Sequence, residues 1–221
     1  DVVRSRGLGD VYKRQVEYNG FGVPEGKGLA RFLENLEAVK RLWTDETVTM
    51  KGTHFSLEEA SISVPFVQKP HPPIWMGANV DNAVKRAARL ADCWYLNPHQ
   101  KLPTLKRQMA LYREELDRLG KPFPDELPIR REVFCAPTHE EAVRIAAPYM
   151  KAMYDAYIDW GQDKRMAADD NDISMAYDEL ARDRFIVGDP DGVAEEMLRY
   201  HTELGTNNII MSCQGLGMPQ T

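Results

Sequence analysis

The sequence has few cysteines, no long apolar run and no excess of cationic residues. Its three cysteines, Cys93, Cys135 and Cys213, are too far apart for CxxC or zinc-ligand spacing. Acidic residues outnumber Lys and Arg by 34 to 28, and this net charge of -6 disfavours a nucleic acid or an anionic membrane as partner. Neither a bilayer-spanning run nor a signal-peptide pattern appears. These absences predict a cytoplasmic protein with reduced cysteines.

Several catalytic motifs are also missing. The sequence contains no Gly-x-Ser-x-Gly, Walker-type or Gly-x-Gly-x-x-Gly pattern, so hydrolase, P-loop and Rossmann functions lack their motifs. Four histidines, at positions 54, 71, 139 and 201, are not spaced as metal ligands. We therefore expect no metal site.

The first fifteen residues differ from the rest of the chain. Asp1 to Gln15 begins without Met, shows neither helical nor strand periodicity and carries four basic residues. We interpret residues 1–15 as a non-native leader, with a native flexible arm as the alternative. The fold is then carried by residues 16–221.

Strand-like and helix-like segments alternate along the remaining chain. Helical periodicity marks Gly28 to Trp43, and Lys51-Gly52 can turn a hairpin after it. The later segments alternate as strands at 74–76, 93–96, 129–135, 185–188 and 208–212, and helices at 80–91, 105–119, from 139 onward and 193–204. This alternation predicts one α/β domain with a parallel sheet.

Several phrases, in order, resemble the luciferase-like monooxygenase family of bacterial luciferase-like oxidoreductases. They are Pro72 to Asn79, Ala87 to Asp92 with Trp94, Phe185 to Pro190, and Gly217-Met218-Pro219. The resemblance extends from Val16 to Gln220 and implies a TIM (β/α)8 barrel. Because 221 residues fall below the roughly 250 of a complete barrel, we expect a partial barrel without its first strands and its last helix.

The resemblance also implies a function. Members of the family are flavin-dependent oxidoreductases, so we expect a monooxygenase that uses reduced FMN and O2 on a small organic substrate. The expected partner is a separate flavin reductase that supplies the reduced FMN. One alternative is hydride transfer with coenzyme F420. Another is a barrel that binds a flavin or small molecule without catalysis. A homo-oligomer is expected for the complete protein.

A cofactor site is expected where the strand ending in Gly77-Ala78 leads into a helix near Asn79. Unpaired N–H groups at a helix start attract phosphate, and small side chains allow close approach. The resemblance implies that Gly77, Ala78 and Asn79 bind the cofactor phosphate. Asn82, one helical turn later, is a further candidate. The alternative is an ordinary strand-to-helix turn with Asn79 as N-cap.

Other site residues are harder to assign. Tyr95 and His99 lie at the end of a predicted barrel strand, where they could contact flavin or substrate, although a lone loop histidine is more often exposed. Because side chains alternate along a strand, at most one of Trp94 and Tyr95 can face the site, and the other packs on the opposite side of the sheet. Trp75 is expected in the core. No catalytic side chain is assigned, since the flavin does the chemistry in this family.

Two further features concern the late part of the chain. Many relatives carry Arg and Trp where this sequence has Ser212 and Gly215, which puts substrate or anion contacts there in doubt. The polar stretch Gly161 to Asp172 occupies the position of the family's variable insertion, which often covers the active site. A disordered polar surface loop is the alternative for that stretch.

Overall fold

The structure is a computed structural model that describes residues 20–24, 26–213, 215 and 217–218. The leader predicted at residues 1–15 lies outside the described residues. The chain divides between Pro73 and Ile74 into two compact units, so the expectation of a single domain over residues 16–221 stays a prediction. No helix in the described ranges is long and apolar enough to cross a membrane.

The first unit contains a helix and a hairpin. Helix α1 spans Gly28–Thr44, and strands β1 (Val48–Lys51) and β2 (Ser56–Ala60) pair antiparallel. The predicted turn at Gly52 is confirmed, and a Cβ there would lie 1.5 Å from the Glu34 carboxyl oxygen. That Cβ would also lie 2.9 Å from the Phe55 carbonyl oxygen, so a side chain at this turn would require the backbone to shift.

The second unit alternates strands and helices, as the sequence predicts. Its strands are β3 (Trp75–Ala78), β4 (Cys93–Leu96), β5 (Pro128–Cys135), β6 (Ile186–Gly188) and β7 (Asn208–Ser212). Its helices are α2 (Asp81–Leu90), α3 (Leu102–Leu119), α4 (His139–Asp159), α5 (Tyr177–Ala181) and α6 (Pro190–Leu204), with a 3-10 turn at Asp163–Arg165.

The sheet of the second unit is parallel throughout. Strand β4 lies between β3 and β5. Strand β7 pairs with β5 over residues 128–132, and the short strand β6 pairs with β5 over residues 133–135. The resulting wall is β3-β4-β5-β7, with β6 against the carboxyl-terminal part of β5.

One face of this wall is covered by helices. Trp94 is fully buried and packs against Tyr112 of α3, with 5.6 Å between the ring centroids. Arg131 is likewise buried, and its guanidinium lies 4.6 Å from the ring centre of Tyr200 in α6. Because side chains alternate along a strand, Tyr95 and Arg130 point to the opposite face. We call that opposite face of β3, β4, β5 and β7 the inner face.

Helix ends agree with the sequence in most places. Gly120 ends α3 in the left-handed conformation with φ 64°, as expected for a C-terminal glycine. Thr138 caps α4 by accepting from the Glu141 N–H. The alternative role for Asn79 is wrong, because the N-cap of α2 is Val80 and no side chain caps that helix.

The stretch from Gly161 to Asp172 is not a disordered surface loop. Met166, Ala167 and Asp170 are each 5–6% exposed, and Met166 belongs to an apolar cluster with Tyr154 and Phe185. Lys101 donates its backbone N–H to the Asp170 carboxyl. The apolar residues inside the polar stretch anchor it to the rest of the unit.

Candidate functional site

The inner face carries an open set of side chains at the carboxyl-terminal ends of its strands. Register pairs Gly77 with Tyr95, and Leu96 with Ile129, so the side chains of Asn97 and Arg130 share a face with Tyr95. Trp75 lies on the same face and is 39% exposed, so its expected place in the core is wrong. This side of the sheet is available to a ligand.

Gly77 is the small residue of this face, for a reason that the structure shows. A Cβ at Gly77 would lie 3.3 Å from the side-chain amide atoms of Asn97 and 3.6 Å from the Tyr95 ring. The φ angle of Gly77 is not positive, so the backbone conformation at this strand end does not itself require glycine. Glycine is required here by close neighbours rather than by a turn.

Asn79 is fixed in place by amide side chains. Asn97 Nδ2 donates to Asn79 Oδ1 at 2.6 Å, and Gln100 and Gln108 donate to the Asn79 carbonyl at 3.2 and 3.0 Å. Gln100 and Gln108 are both fully buried. The residue after β3 is therefore held rigidly, with its side chain beside Asn97 and its carbonyl turned away from the inner face.

The four predicted cofactor residues do not all lie together. Gly77 is on the inner face with Asn97, whereas the Ala78 side chain is 4% exposed and its carbonyl accepts from Trp94 Nε1 at 3.2 Å. Asn82 is exposed and lines a cavity of about 610 Å³ with Arg107 and Asp169. If these four residues bind one ligand at the start of α2, they must do so through backbone groups, because their side chains point in different directions.

The start of α2 already carries a negative charge. Asp81, in its first turn, accepts from Arg107 Nη1 at 2.8 Å and from Gln108 at 3.1 Å. The hydrogen bond from Arg107 lowers the pKa of the Asp81 carboxyl, with Gln108 adding to the effect. Arg107 also pairs with Asp169 at 3.1 Å, so its single positive charge is shared between two carboxylates near the start of α2.

His99 packs against aromatic residues of α4, and Tyr95 lies on the inner face. Tyr95 is half-buried on the inner face, and burial raises the pKa of its hydroxyl. The His99 ring packs edge-on against Tyr154 and Tyr157, with centroid distances of 6.0 and 4.9 Å. The loop histidine is thus enclosed by aromatic rings rather than exposed.

His99 is held in its neutral form. Burial, together with the smaller effects of the Arg130, Arg184 and Arg131 guanidinium groups, lowers its pKa to about 4. Its Nδ1 is buried and has no hydrogen-bond partner among the described residues. At neutral pH this imidazole can exchange hydrogen bonds but carries no charge.

Sequence reasoning missed Arg130 and Glu132. Arg130 Nη2 donates to Ser212 Oγ at 3.2 Å, across from β5 to β7. Glu132 is 1% exposed, and Tyr154 donates to its Oε2 at 3.4 Å. Burial raises the pKa of Glu132, while Arg131 and Arg130 oppose that rise. The available signal was the run Arg130-Arg131-Glu132 inside a predicted buried strand.

Ser212 and Gly215 each have a structural reason. The Ser212 hydroxyl lies against the guanidinium of Arg130. A Cβ at Gly215 would lie 3.0 Å from Cβ of Tyr149 in α4, so a larger residue would collide with that helix. Within the described ranges no group of three or more His, Cys, Asp or Glu could hold a metal, and the three cysteines are free.

Comparison with known families matches residues 7–207 to the model of the luciferase-like monooxygenases. This match covers most of the chain. The chain belongs to the luciferase-like monooxygenase family. The resemblance drawn from Pro72 to Asn79 and the later phrases is therefore confirmed.

Individual relatives agree with this assignment. The chain is 27% identical over 210 residues to an F420-dependent glucose-6-phosphate dehydrogenase of Nakamurella multipartita, covering 89% of this chain and 58% of that protein. Monooxygenase RslO1 from Streptomyces bottropensis superposes with a TM-score of 0.74 at 22% identity, over 90% of this chain and 58% of that one.

A flavin-bound structure is also similar. The oxygenating constituent of 3,6-diketocamphane monooxygenase from Pseudomonas putida, in complex with FMN, superposes with a TM-score of 0.55 at 19% identity, over 82% of this chain and 55% of that one. The chain thus spans a little over half the length of these relatives. Its α/β fold is a partial TIM barrel of the bacterial luciferase-like type, so the inner face lies on the side of the barrel interior.

Proposed function

We propose that this chain provides the cofactor-binding half of a flavin-dependent monooxygenase that uses reduced FMN and O2 on a small organic substrate. The observation that carries the proposal is the end of β3, where Gly77 has no side chain and lies against Asn97 and Tyr95 on the inner face. Active sites of these barrels form at the carboxyl-terminal ends of the strands. Family membership supports the same class of reaction.

The residues at this position fit a flavin phosphate. Gly77 presents its backbone without a side chain. No side chain caps the start of α2, and the Asp81 and Asn82 N–H groups precede its first backbone hydrogen bond, from Ala83 N to the Val80 carbonyl. Arg107 lies at the same helix start, where it pairs with Asp81 and with Asp169. We propose that Gly77, Ala78 and Asn79 hold the phosphate through backbone groups, with Asn82 at the edge of the site.

Reduced flavin, when bound, supplies the electrons that activate O2 or the substrate. The chain's own residues position and enclose the reactants. Asn97 fixes Asn79 through a 2.6 Å hydrogen bond and so orders the phosphate turn. The rings of His99, Tyr154 and Tyr157 form a wall that excludes water from one side. Tyr95 and His99 face the space in which we place the flavin or substrate.

Hydride transfer with coenzyme F420 is the second candidate. It is supported by the F420-dependent glucose-6-phosphate dehydrogenases, at 27–28% identity, among the relatives of this chain. A non-catalytic binding barrel remains the alternative from another class. For the complete protein we further propose a cytoplasmic homo-oligomer served by a separate flavin reductase.

Cofactor titration tests these candidates. Binding of FMN, riboflavin, F420 and dephosphorylated F420 would be followed by fluorescence with the full-length protein. We expect FMN to bind at least tenfold tighter than riboflavin, because a lost charge-assisted hydrogen bond costs about 1.5–3 kcal/mol. Preference for F420 would select hydride transfer. Flavin binding without oxygen consumption in the presence of any substrate would select the non-catalytic barrel.

A further inference from the structure

Arg130 is a guanidinium on the inner face that the fold leaves without a carboxylate partner. No Asp or Glu in the described part of the chain forms an ion pair with it. The hydrogen bond from its Nη2 reaches Ser212 Oγ at 3.2 Å. A guanidinium has five N–H donors, and the described contacts of this half-buried side chain, with Ser212 and with the Tyr157 hydroxyl, do not use all of them.

Two nearby arginines show the contrast. Arg131 is fully buried, and its Nη1 and Nη2 atoms donate to the carbonyls of Asn97, Arg130 and Gln100. Arg184 is fully buried and ion-paired with Asp170 at 2.8 Å. Both have structural partners. Arg130 instead points from the middle of β5 into the open side of the sheet.

The groups that surround Arg130 are neutral hydrogen-bonding side chains. Ser212 lies beside it on β7, and Tyr157 of α4 is close enough for the Arg130 charge to oppose the burial-driven rise in the pKa of that hydroxyl. Tyr95 on β4 is affected in the same way. Glu132, two residues further along β5 on the same face, is buried, and burial raises the pKa of its carboxyl while Arg131 and Arg130 oppose that rise. The partners that contact Arg130 in the described part of the chain are thus hydroxyl groups, not carboxylates.

We propose that Arg130, with Ser212 and Tyr157, forms a subsite for an oxyanion on the substrate, such as a carboxylate or a phosphate ester. The proposal rests on the proposed function, since it takes the inner face as the substrate side. A guanidinium fork binds two oxygens of such a group at once. Arg130 lies two strands from Gly77, roughly 10 Å at about 4.8 Å per strand, which separates this subsite from the phosphate turn.

Calorimetric titration of the full-length, FMN-loaded protein with hexanoate, hexyl phosphate and hexanamide tests the subsite. We expect both anions to bind at least tenfold tighter than the neutral amide. Arg130→Gln should weaken anion binding ten- to a hundredfold, Arg130→Lys should weaken it less because the charge remains, and Ser212→Ala should weaken it severalfold. The matched control is Arg113→Gln, since that guanidinium lies over the Phe123 ring, away from the inner face; it should change nothing.

The outcomes separate this proposal from the proposed function. Equal anion affinity in Arg130→Gln and wild type would overturn the subsite. Loss of FMN affinity with retained riboflavin affinity in Arg130→Gln would assign the guanidinium to the cofactor phosphate and also overturn it. Anion binding that depends on Arg130 in a protein that binds neither flavin nor F420 would leave the subsite standing and refute the flavin enzyme. If Arg130→Gln does not fold, Arg130→Lys and Ser212→Ala decide the question.

Discussion

Arg184 and Asp170 form an ion pair in which both side chains are at most 1% exposed, with Nη2 and Oδ1 2.8 Å apart. The same guanidinium donates from Nε to the His99 carbonyl at 2.7 Å. Asp170 also accepts from the Lys101 backbone. This pair therefore connects the segment 161–172 to the loop after β4 that carries His99.

Asp170→Asn should destabilise the protein strongly, because it leaves the buried Arg184 charge uncompensated. Breaking one side of a buried pair costs about 3–5 kcal/mol, measurable as a loss of unfolding free energy in urea. As control, Lys106→Gln breaks an exposed pair with Glu203, in which Lys106 is 52% exposed, and should cost at most about 1 kcal/mol. Similar small losses for both variants would contradict the importance of the buried pair.

Gly77→Val should weaken cofactor binding more than it weakens folding. Its Cβ would lie 3.3 Å from the Asn97 amide, and its branches would occupy the space beside the proposed phosphate turn. We expect a ten- to hundredfold loss of FMN affinity, equivalent to about 1.5–3 kcal/mol, and a smaller loss for riboflavin. Gly192→Ala, whose Cβ would meet Asp189 at an ordinary 3.4 Å, is the control. An equal loss for FMN and riboflavin would show that position 77 does not serve phosphate.

His99 should make stability fall with acidification from about pH 6.5 to pH 4. Its folded-state pKa is lowered to about 4 by burial and by nearby arginines, so below pH 6.5 the unfolded chain binds a proton that the folded chain does not. The stabilising contribution is therefore complete above pH 6.5 and is lost below it. His99→Phe should flatten the unfolding free energy across that range. An unchanged slope would mean that His99 is solvated.

Glu115 should make the unfolding free energy depend on pH in a more acidic range than His99 does. Hydrogen bonds from Arg118 and Arg89 lower its pKa to about 2 from 4.5, with Arg89 Nε at 2.6 Å linking α2 to α3. Because the folded-state pKa is depressed, the contribution is present above pH 4.5 and is lost as the pH falls toward 2. Glu115→Gln should remove the pH dependence of the unfolding free energy between about pH 4.5 and 2, and it should leave the dependence between about pH 6.5 and 4, which comes from His99, unchanged. Acid titration followed by circular dichroism of both variants checks the two ranges together.

Local patterns in the sequence determined the elements of this protein. The periodicity from Gly28 to Trp43 predicted α1, which begins at Gly28 and ends at Thr44, one residue beyond the predicted end. Cys93 to Leu96 is a strand with the predicted bounds, and Gly120 ends a helix where its left-handed preference predicts. Such features depend on neighbours within a few residues, and several ordered phrases were enough to identify the family.

Contacts between distant residues decided the site. Arg130 meets Ser212 across 82 residues, and Lys101 meets Asp170 across 69. No local pattern encodes such pairs, because strand order brings them together. The sequence correctly placed Gly77 at a strand end, but its neighbour Asn97 came from the register of β3 and β4. The helices cover one face of β5, and only this decided the roles of two adjacent arginines. Arg131 is buried under the helices, and Arg130 faces the barrel interior.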